Sequence, residues 1–178
     1  MIHIIDNFID KDLFKLATGY LKKGEFLKHK VGNKNFYTQD SPESFTKYVV
    51  GKLGMIEGRP VESILSFFRT SNDTQDTQWR IHSDLKIKGE HPDRAAVLYM
   101  SPREMEGLHG TAFWEHDIYG SSLPTHVNEE EYNKMIKVDA EELEKWRLVS
   151  VAGYEQNRLI SYPSNYFHSK YPNESWKE

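Results

Sequence analysis

Eight histidines, 27 carboxylates and no cysteine confine any metal chemistry in this chain to nitrogen and oxygen ligands. The same count leaves no thiol nucleophile and no disulfide. Histidine stands two residues before an acid in His82-Ser83-Asp84 and again in His91-Pro92-Asp93. Composition alone yields about one such triplet by chance, so context has to separate them. His82 follows Trp79-Arg80-Ile81, which reads as a strand. Gly89-Glu90-His91-Pro92-Asp93 has turn composition, and His91 reads as a solvated loop histidine. His168 lies far along, at the end of a second apolar run from Tyr166. His82 and His168 on neighbouring strands, with Asp84, would form a triad of two imidazoles and one carboxylate. That set suits Fe(II) and keeps open positions for other ligands. The bland alternative for His82 is an ordinary strand histidine.

The elements that must position these residues follow from periodicity. Ile2 to Phe8 is apolar and β-branched, hence a strand. Asp10 reads as the N-cap of a helix from about Lys11 to Lys22, with Leu13, Phe14, Leu16, Ala17, Tyr20 and Leu21 at helical spacing and Gly24 as its stop. A second helix is expected from about Pro42 to Leu53, ending at Gly54, and Phe26 to Tyr37 reads as a loop or hairpin. From Val61 the pattern changes to short apolar runs between polar turns. Strands are expected at 63–69, 78–82, 95–101, 111–114, 147–152, 158–162 and 166–168. Glu115 to Trp146 interrupts this series with an acidic, helix-rich insertion. The expected architecture is mainly β with flanking helices, a single domain over 1–178. Residues 1–60 supply the N-terminal strand and supporting helices; 61–178 form the β core with an insertion at about 115–146.

Charge and hydropathy narrow the classes further. A net charge of -4 with a pI near 6.1 argues against a nucleic-acid partner. No run of 18 apolar residues exists, which argues against a membrane span. Absence of cysteine suits a reducing, cytoplasmic setting.

The ordered series of motifs carries a resemblance. After His82-Ser83-Asp84 come Ala-Ala-Val-Leu-Tyr-Met-Ser at 95–101 and Gly-Thr-Ala-Phe-Trp at 110–114. Then follows Asn-Arg-Leu-Ile-Ser-Tyr-Pro-Ser-Asn-Tyr-Phe-His-Ser-Lys-Tyr-Pro at 157–172. This order resembles the 2-oxoglutarate/Fe(II)-dependent oxygenase superfamily in its prolyl-hydroxylase-like branch, above all its small bacterial and phage members. It extends from about Ser63 to Lys177, with a similar N-terminal opening at Ile5 to Ile9. The resemblance implies a double-stranded β-helix, or jelly roll, with His82, Asp84 and His168 as catalytic iron ligands. It implies Fe(II) and 2-oxoglutarate as cofactors, hydroxylation of a protein side chain or small molecule, and release of succinate and carbon dioxide.

The same resemblance places a basic residue nine or ten positions past the distal histidine, where it pairs the far carboxylate of 2-oxoglutarate. Lys177 lies nine past His168, but the sequence stops one residue later, so a chain extended at the C-terminus is expected to bind 2-oxoglutarate better. Lys170 is a weaker alternative. Tyr99 and Arg69 are further candidates for cosubstrate binding: Tyr99 if strand alternation turns it inward, Arg69 because a buried guanidinium needs an anion. Arg158 reads as a structural salt bridge. The insertion is expected either to cover the mouth with His116, Tyr119, His126 and Tyr132, or to act as a helical buttress. The alternative function is a cupin-like jelly roll that binds a metal or small molecule without oxygenase activity.

Overall fold

The computed structural model describes residues 1–31, 34–70, 80–87, 89–101 and 110–171. Along the chain run β1 (His3–Ile5), α1 (Lys11–Lys23), β2 (Leu27–Val31), β3 (Lys34–Asp40), α2 (Glu43–Glu57) and β4 (Phe67–Thr70). They are followed by β5 (Arg94–Leu98), β6 (Gly110–His116), α3 (Glu129–Lys137), β7 (Trp146–Gly153), β8 (Leu159–Pro163) and β9 (His168–Tyr171). Two single-turn 3₁₀ helices, Asp139–Glu141 and Leu143–Lys145, link α3 to β7. The chain is thus mainly β. Among the described residues, nine strands form three antiparallel sheets that do not close into a barrel.

Contacts divide the chain into two compact units, Ile9–Ser71 and Met1–Phe8 with Asn72–Glu178. In the first, β2, β3 and β4 form one sheet, so the lysine-rich stretch expected as a loop or hairpin is a hairpin. Phe68 on β4 meets Phe45 of α2 at 5.3 Å and Tyr20 of α1 at 6.3 Å between ring centroids. The helices are held to the sheet by aromatic burial. α2 runs past the expected stop at Gly54 to Glu57. Gly58 closes it instead with φ 67, a left-handed value that costs glycine no Cβ clash, and its N–H bonds to the Gly54 carbonyl.

The second unit carries the candidate ligands. Its sheets are ordered β1-β8-β5 and β7-β6-β9. Thr111, Ala112 and Phe113 of β6 are flanked by β7 on one side and β9 on the other, and the strand is buried almost throughout. Alternation sends its side chains into two cores. Ala112 and Trp114 join Ile81, Leu85, Leu123, Met135, Trp146 and Phe167. Phe113 joins Tyr99, Ala152, Ile160 and Tyr162, so the two sheets share this aromatic core. Tyr99 therefore faces inward, its hydroxyl 2.7 Å from Thr111 Oγ1. Gly110 opens β6 at φ 135, where a Cβ would meet the Ala152 carbonyl of β7 at 2.0 Å. Arg158 grips Asp6 at 2.5 and 3.0 Å and the Gly153 carbonyl at 2.7 Å, a structural salt bridge as expected.

The strand expected over 78–82 is absent from its described part. Arg80 has φ 51, which turns the chain out of the extended region, and His82 joins a ladder through one isolated bridge. Gln78, Trp79 and the turn expected over 71–77 lie outside the described residues. The insertion packs as core rather than standing off: Met135, Asp139, Ala140 and Trp146 are buried.

Burial raises the Tyr99 and Tyr154 phenols to about 12 and lifts Tyr162 further above its ordinary value. An acid with a raised folded pKa lends stability below its unfolded pKa, near 10, that is lost as pH climbs through the folded value. The fold should therefore weaken between about pH 10 and 12. Tyrosinate absorbance and far-ultraviolet circular dichroism should change together there, and Tyr99→Phe should shallow the transition. Phenols ionising near 10 with the dichroism intact would refute buried, neutral tyrosines. Phe167, fully buried and 4.9 Å from the Trp146 ring, should cost about 3–5 kcal/mol on Phe167→Ala in denaturant unfolding.

Candidate metal centre

β9 begins at His168, and its first backbone groups reach across to His82. His82 N donates to the His168 carbonyl at 3.1 Å and His168 N to the His82 carbonyl at 2.9 Å. This reciprocal pair sets the two imidazole rings 4.4 Å apart between centroids. Two residues on, Asp84 N donates to the Ser164 carbonyl at 2.7 Å, which fixes the acid's backbone to the turn before β9. Its carboxylate then spans both rings, Oδ1 3.6 Å from His82 Nε2 and Oδ2 3.4 Å from His168 Nε2. One ligand atom from each residue lies within 4.8 Å of the others, so the group could hold a metal ion.

The tautomers follow from the other ring nitrogens. His82 Nδ1 is 2.7 Å from the Arg80 carbonyl and His168 Nδ1 is 3.0 Å from the Tyr166 carbonyl. A carbonyl can only accept, so each Nδ1 carries a proton and each ring turns its Nε2 towards Asp84. Two Nε2 atoms and a carboxylate then converge, a nitrogen and oxygen set that suits a divalent cation. Packing around the His82 ring, and then the facing His168, pull the His82 pKa below the ordinary imidazole value, while Asp84 opposes the shift. A depressed pKa keeps the ring neutral and ready to bind metal. The His82 side chain stays 42% exposed and that of Asp84 27%, against 7% for His168, so the centre opens on the side of the triplet.

Aromatic side chains make the floor. Tyr162, fully buried, lies 4.6 Å from the His168 ring and 5.2 Å from Phe113. It was not singled out in the sequence, although alternation with Ile160 on a strand leading to His168 could have marked it. From α3, Tyr132 packs on the core that holds Ile81 and Leu85. Its phenol is raised by burial and then by the Asp84 charge, so α3 lies within electrical reach of the centre. The capping box of Asn128 and Glu131 fixes where that helix starts.

His82, Asp84 and His168 thus come together as expected. Tyr99 joins the aromatic core beside Tyr162, with its hydroxyl engaged by Thr111. Arg69 belongs to the other unit, its guanidinium 4.8 Å over the Phe36 ring. Lys177 lies outside the described residues. His91 is exposed and lies outside the strands and helices, as its composition indicated. His116 corrects the expectation of a mouth residue. It ends β6 with its side chain fully buried, stacked on Tyr119 at 5.1 Å and edge-on to Trp146 at 4.6 Å. Asp139, one acid in an acidic run, is buried as well, held by Lys145 at 2.5 Å. The partners of both come from distant positions, so composition gave no signal of their burial.

Residues 32–174 match the model of DUF6445, a family of unknown function, and the chain belongs to that family. No curated protein matches the chain.

His82→Ala, Asp84→Asn and His168→Ala should each weaken divalent-metal binding by more than the about 10–100-fold typical of residues that merely support a ligand. His91→Ala should leave it unchanged. Isothermal titration with Fe(II) under nitrogen reads this directly, and a reversed ranking would move the centre to the other triplet.

Proposed function

We propose that this DUF6445 member is an Fe(II)- and 2-oxoglutarate-dependent oxygenase that hydroxylates a C–H bond of a protein side chain or small molecule. The observation that carries the reading is the convergence of two Nε2 atoms and one carboxylate on one partly exposed point, with both Nδ1 atoms engaged by carbonyls. Three ligands from one side leave the remaining positions of an octahedral ion for cosubstrate, oxygen and approach of substrate. The finer fold belongs to the same reading. Two antiparallel sheets that share an aromatic core, with His168 at the start of β9, are in keeping with a double-stranded β-helix. A reducing cytoplasm suits a ferrous centre in a chain without cysteine.

Bound iron with 2-oxoglutarate would supply the oxidative chemistry: oxygen is consumed, succinate and carbon dioxide leave, and the substrate C–H becomes C–OH. The residues of this chain do the rest. His82, Asp84 and His168 hold the ion, and the Arg80 and Tyr166 carbonyls keep both rings in the metal-binding tautomer. Tyr162 and Phe113 form an apolar wall that excludes water beside His168.

The far carboxylate of 2-oxoglutarate needs a cation or several donors in that apolar setting. Lys170 becomes a stronger candidate than its spacing alone implied. It follows His168 by two on β9, so alternation puts both on one face of the strand. Thr111 is its cross-strand partner and bears the hydroxyl that meets Tyr99. Lys170, Thr111 and Tyr99 would together receive the carboxylate.

Adding 2-oxoglutarate to the Fe(II) protein under nitrogen should produce a weak visible charge-transfer band, lost in His168→Ala. Lys170→Ala should raise the 2-oxoglutarate Kd about tenfold or more, as expected for loss of a charged hydrogen bond in a partly buried site. Lys177→Ala and Arg69→Ala run alongside, and whichever variant loses binding identifies the cation. A metal-loaded protein with no band and no succinate release against any substrate pool would instead support the cupin-like binding protein.

A further inference from the structure

We propose that Glu141 is a positioning residue for the ligand His82, acting through the backbone of Arg80; the inference rests on the metal centre proposed above. Arg80 lies two residues before His82 and has φ 51, a left-handed conformation that is disfavoured for any residue with a Cβ. Such conformations persist where surrounding groups over-determine them, and they gather at functional sites. Here the surrounding groups belong to the 3₁₀ turn Asp139–Glu141. Arg80 N donates to Glu141 Oε1 at 3.0 Å, and Ile81 N donates to the Ala140 carbonyl at 3.2 Å.

The second bond reaches the ligand directly. Ile81 N and the Arg80 carbonyl belong to one planar peptide unit. Its N–H is anchored on Ala140, and its carbonyl accepts the His82 Nδ1 proton at 2.7 Å. Rotation of that plane would carry away the acceptor that holds the His82 ring and its tautomer. Glu141 fixes the preceding N–H and thereby the dihedral angles that aim the plane.

The turn that delivers Glu141 is itself well anchored. Trp146 Nε1 donates to the Asp139 carbonyl at 2.7 Å. The Asp139 carboxylate receives Lys145 at 2.5 Å and lies 3.4 Å from His116 Nε2. His116 Nδ1 lies 3.2 Å from Ile118 N and 3.1 Å from Asp117 Oδ1, which fixes the ring beside the turn. Lys145 also bridges to Glu142 at 2.5 Å, and the two carboxylates raise its pKa, Asp139 first. The insertion thereby acts as a rigid brace on one ligand arm, 61 residues away in sequence.

Three variants separate positioning from a general structural role. Glu141→Ala should bind Co(II), used as a spectroscopic probe, about 10–100-fold more weakly and with altered d–d bands. Glu141→Gln keeps an amide oxygen as acceptor and should bind like the wild type. Arg80→Gly placed in Glu141→Ala should recover affinity, because glycine takes φ 51 without a Cβ clash. Circular dichroism on each variant confirms that the fold is retained. A metal-free readout stands beside these. Nitrogen-15 imidazole spectra of the apo-protein should show the Nδ1–H tautomer at His82 in the wild type and in Glu141→Gln, and a tautomer mixture in Glu141→Ala. Wild-type Co(II) affinity, bands and tautomer in Glu141→Ala would overturn the proposal. A wild type that binds no divalent metal, with the apo spectra still split as expected, would sink the oxygenase reading and leave the Glu141 brace standing.

Discussion

Convergence of His82, Asp84 and His168 on one point is the constraint around which the unit of Met1–Phe8 and Asn72–Glu178 is arranged. Two imidazole rings and a carboxylate meet there at 3.4 and 3.6 Å, and that close approach must be held by structure. The reciprocal backbone bonds of His82 and His168 hold it first. They make the two ligand-bearing segments neighbouring strands at one residue pair, and the rings meet because the backbones do. The Ser164 carbonyl then fixes Asp84, and two further carbonyls fix both tautomers. Every one of these contacts uses the main chain.

Burial supports the arrangement from behind. β6 separates two cores, and His168 stands beside one of them through Tyr162, while Phe167 stands in the other. Adjacent residues on β9 and the turn before it are therefore locked into opposite sides of the sheet. A slip of one residue in β9 would exchange His168 with Phe167 or Ser169 and disrupt both cores. The register that buries aromatic surface is the register that aims the ligand.

The two histidines are supported unequally. His168 belongs to a strand laddered on β6 and sits in a packed environment. His82 leaves a left-handed residue, joins one bridge and keeps much of its ring exposed. Its reinforcement comes from the turn Asp139–Glu141. The acidic insertion thus reads differently in three dimensions. Among the described residues, Asp139 is part of a buried polar network with His116 and Lys145, and Met135 and Trp146 are core. A lid over the mouth and a brace beneath a ligand are compatible roles, and the Tyr132 phenol of α3 feels the Asp84 charge.

Much of this was legible from residue types. Alternating apolar runs located β5 to β8 within a few residues, helical spacing located α1, and the lysine-rich stretch was a hairpin because its strands could pair locally. Choosing His82-Ser83-Asp84 over His91-Pro92-Asp93 needed only turn composition on one side and an apolar approach on the other. What local sequence could not carry were features decided by partners far along the chain. Gly54 does not end α2, because a helix tolerates glycine until a left-handed cap with a bonded carbonyl becomes available at Gly58. Arg80 reads as strand, yet bonds from residues 140 and 141 hold it left-handed. His116 reads as a mouth residue and Asp139 as one acid of an acidic insertion, and only tertiary packing buries them together. Periodicity reports which side of an element is apolar. The direction of a lone pair depends on hydrogen bonds between segments, and those exist only once the chain has folded.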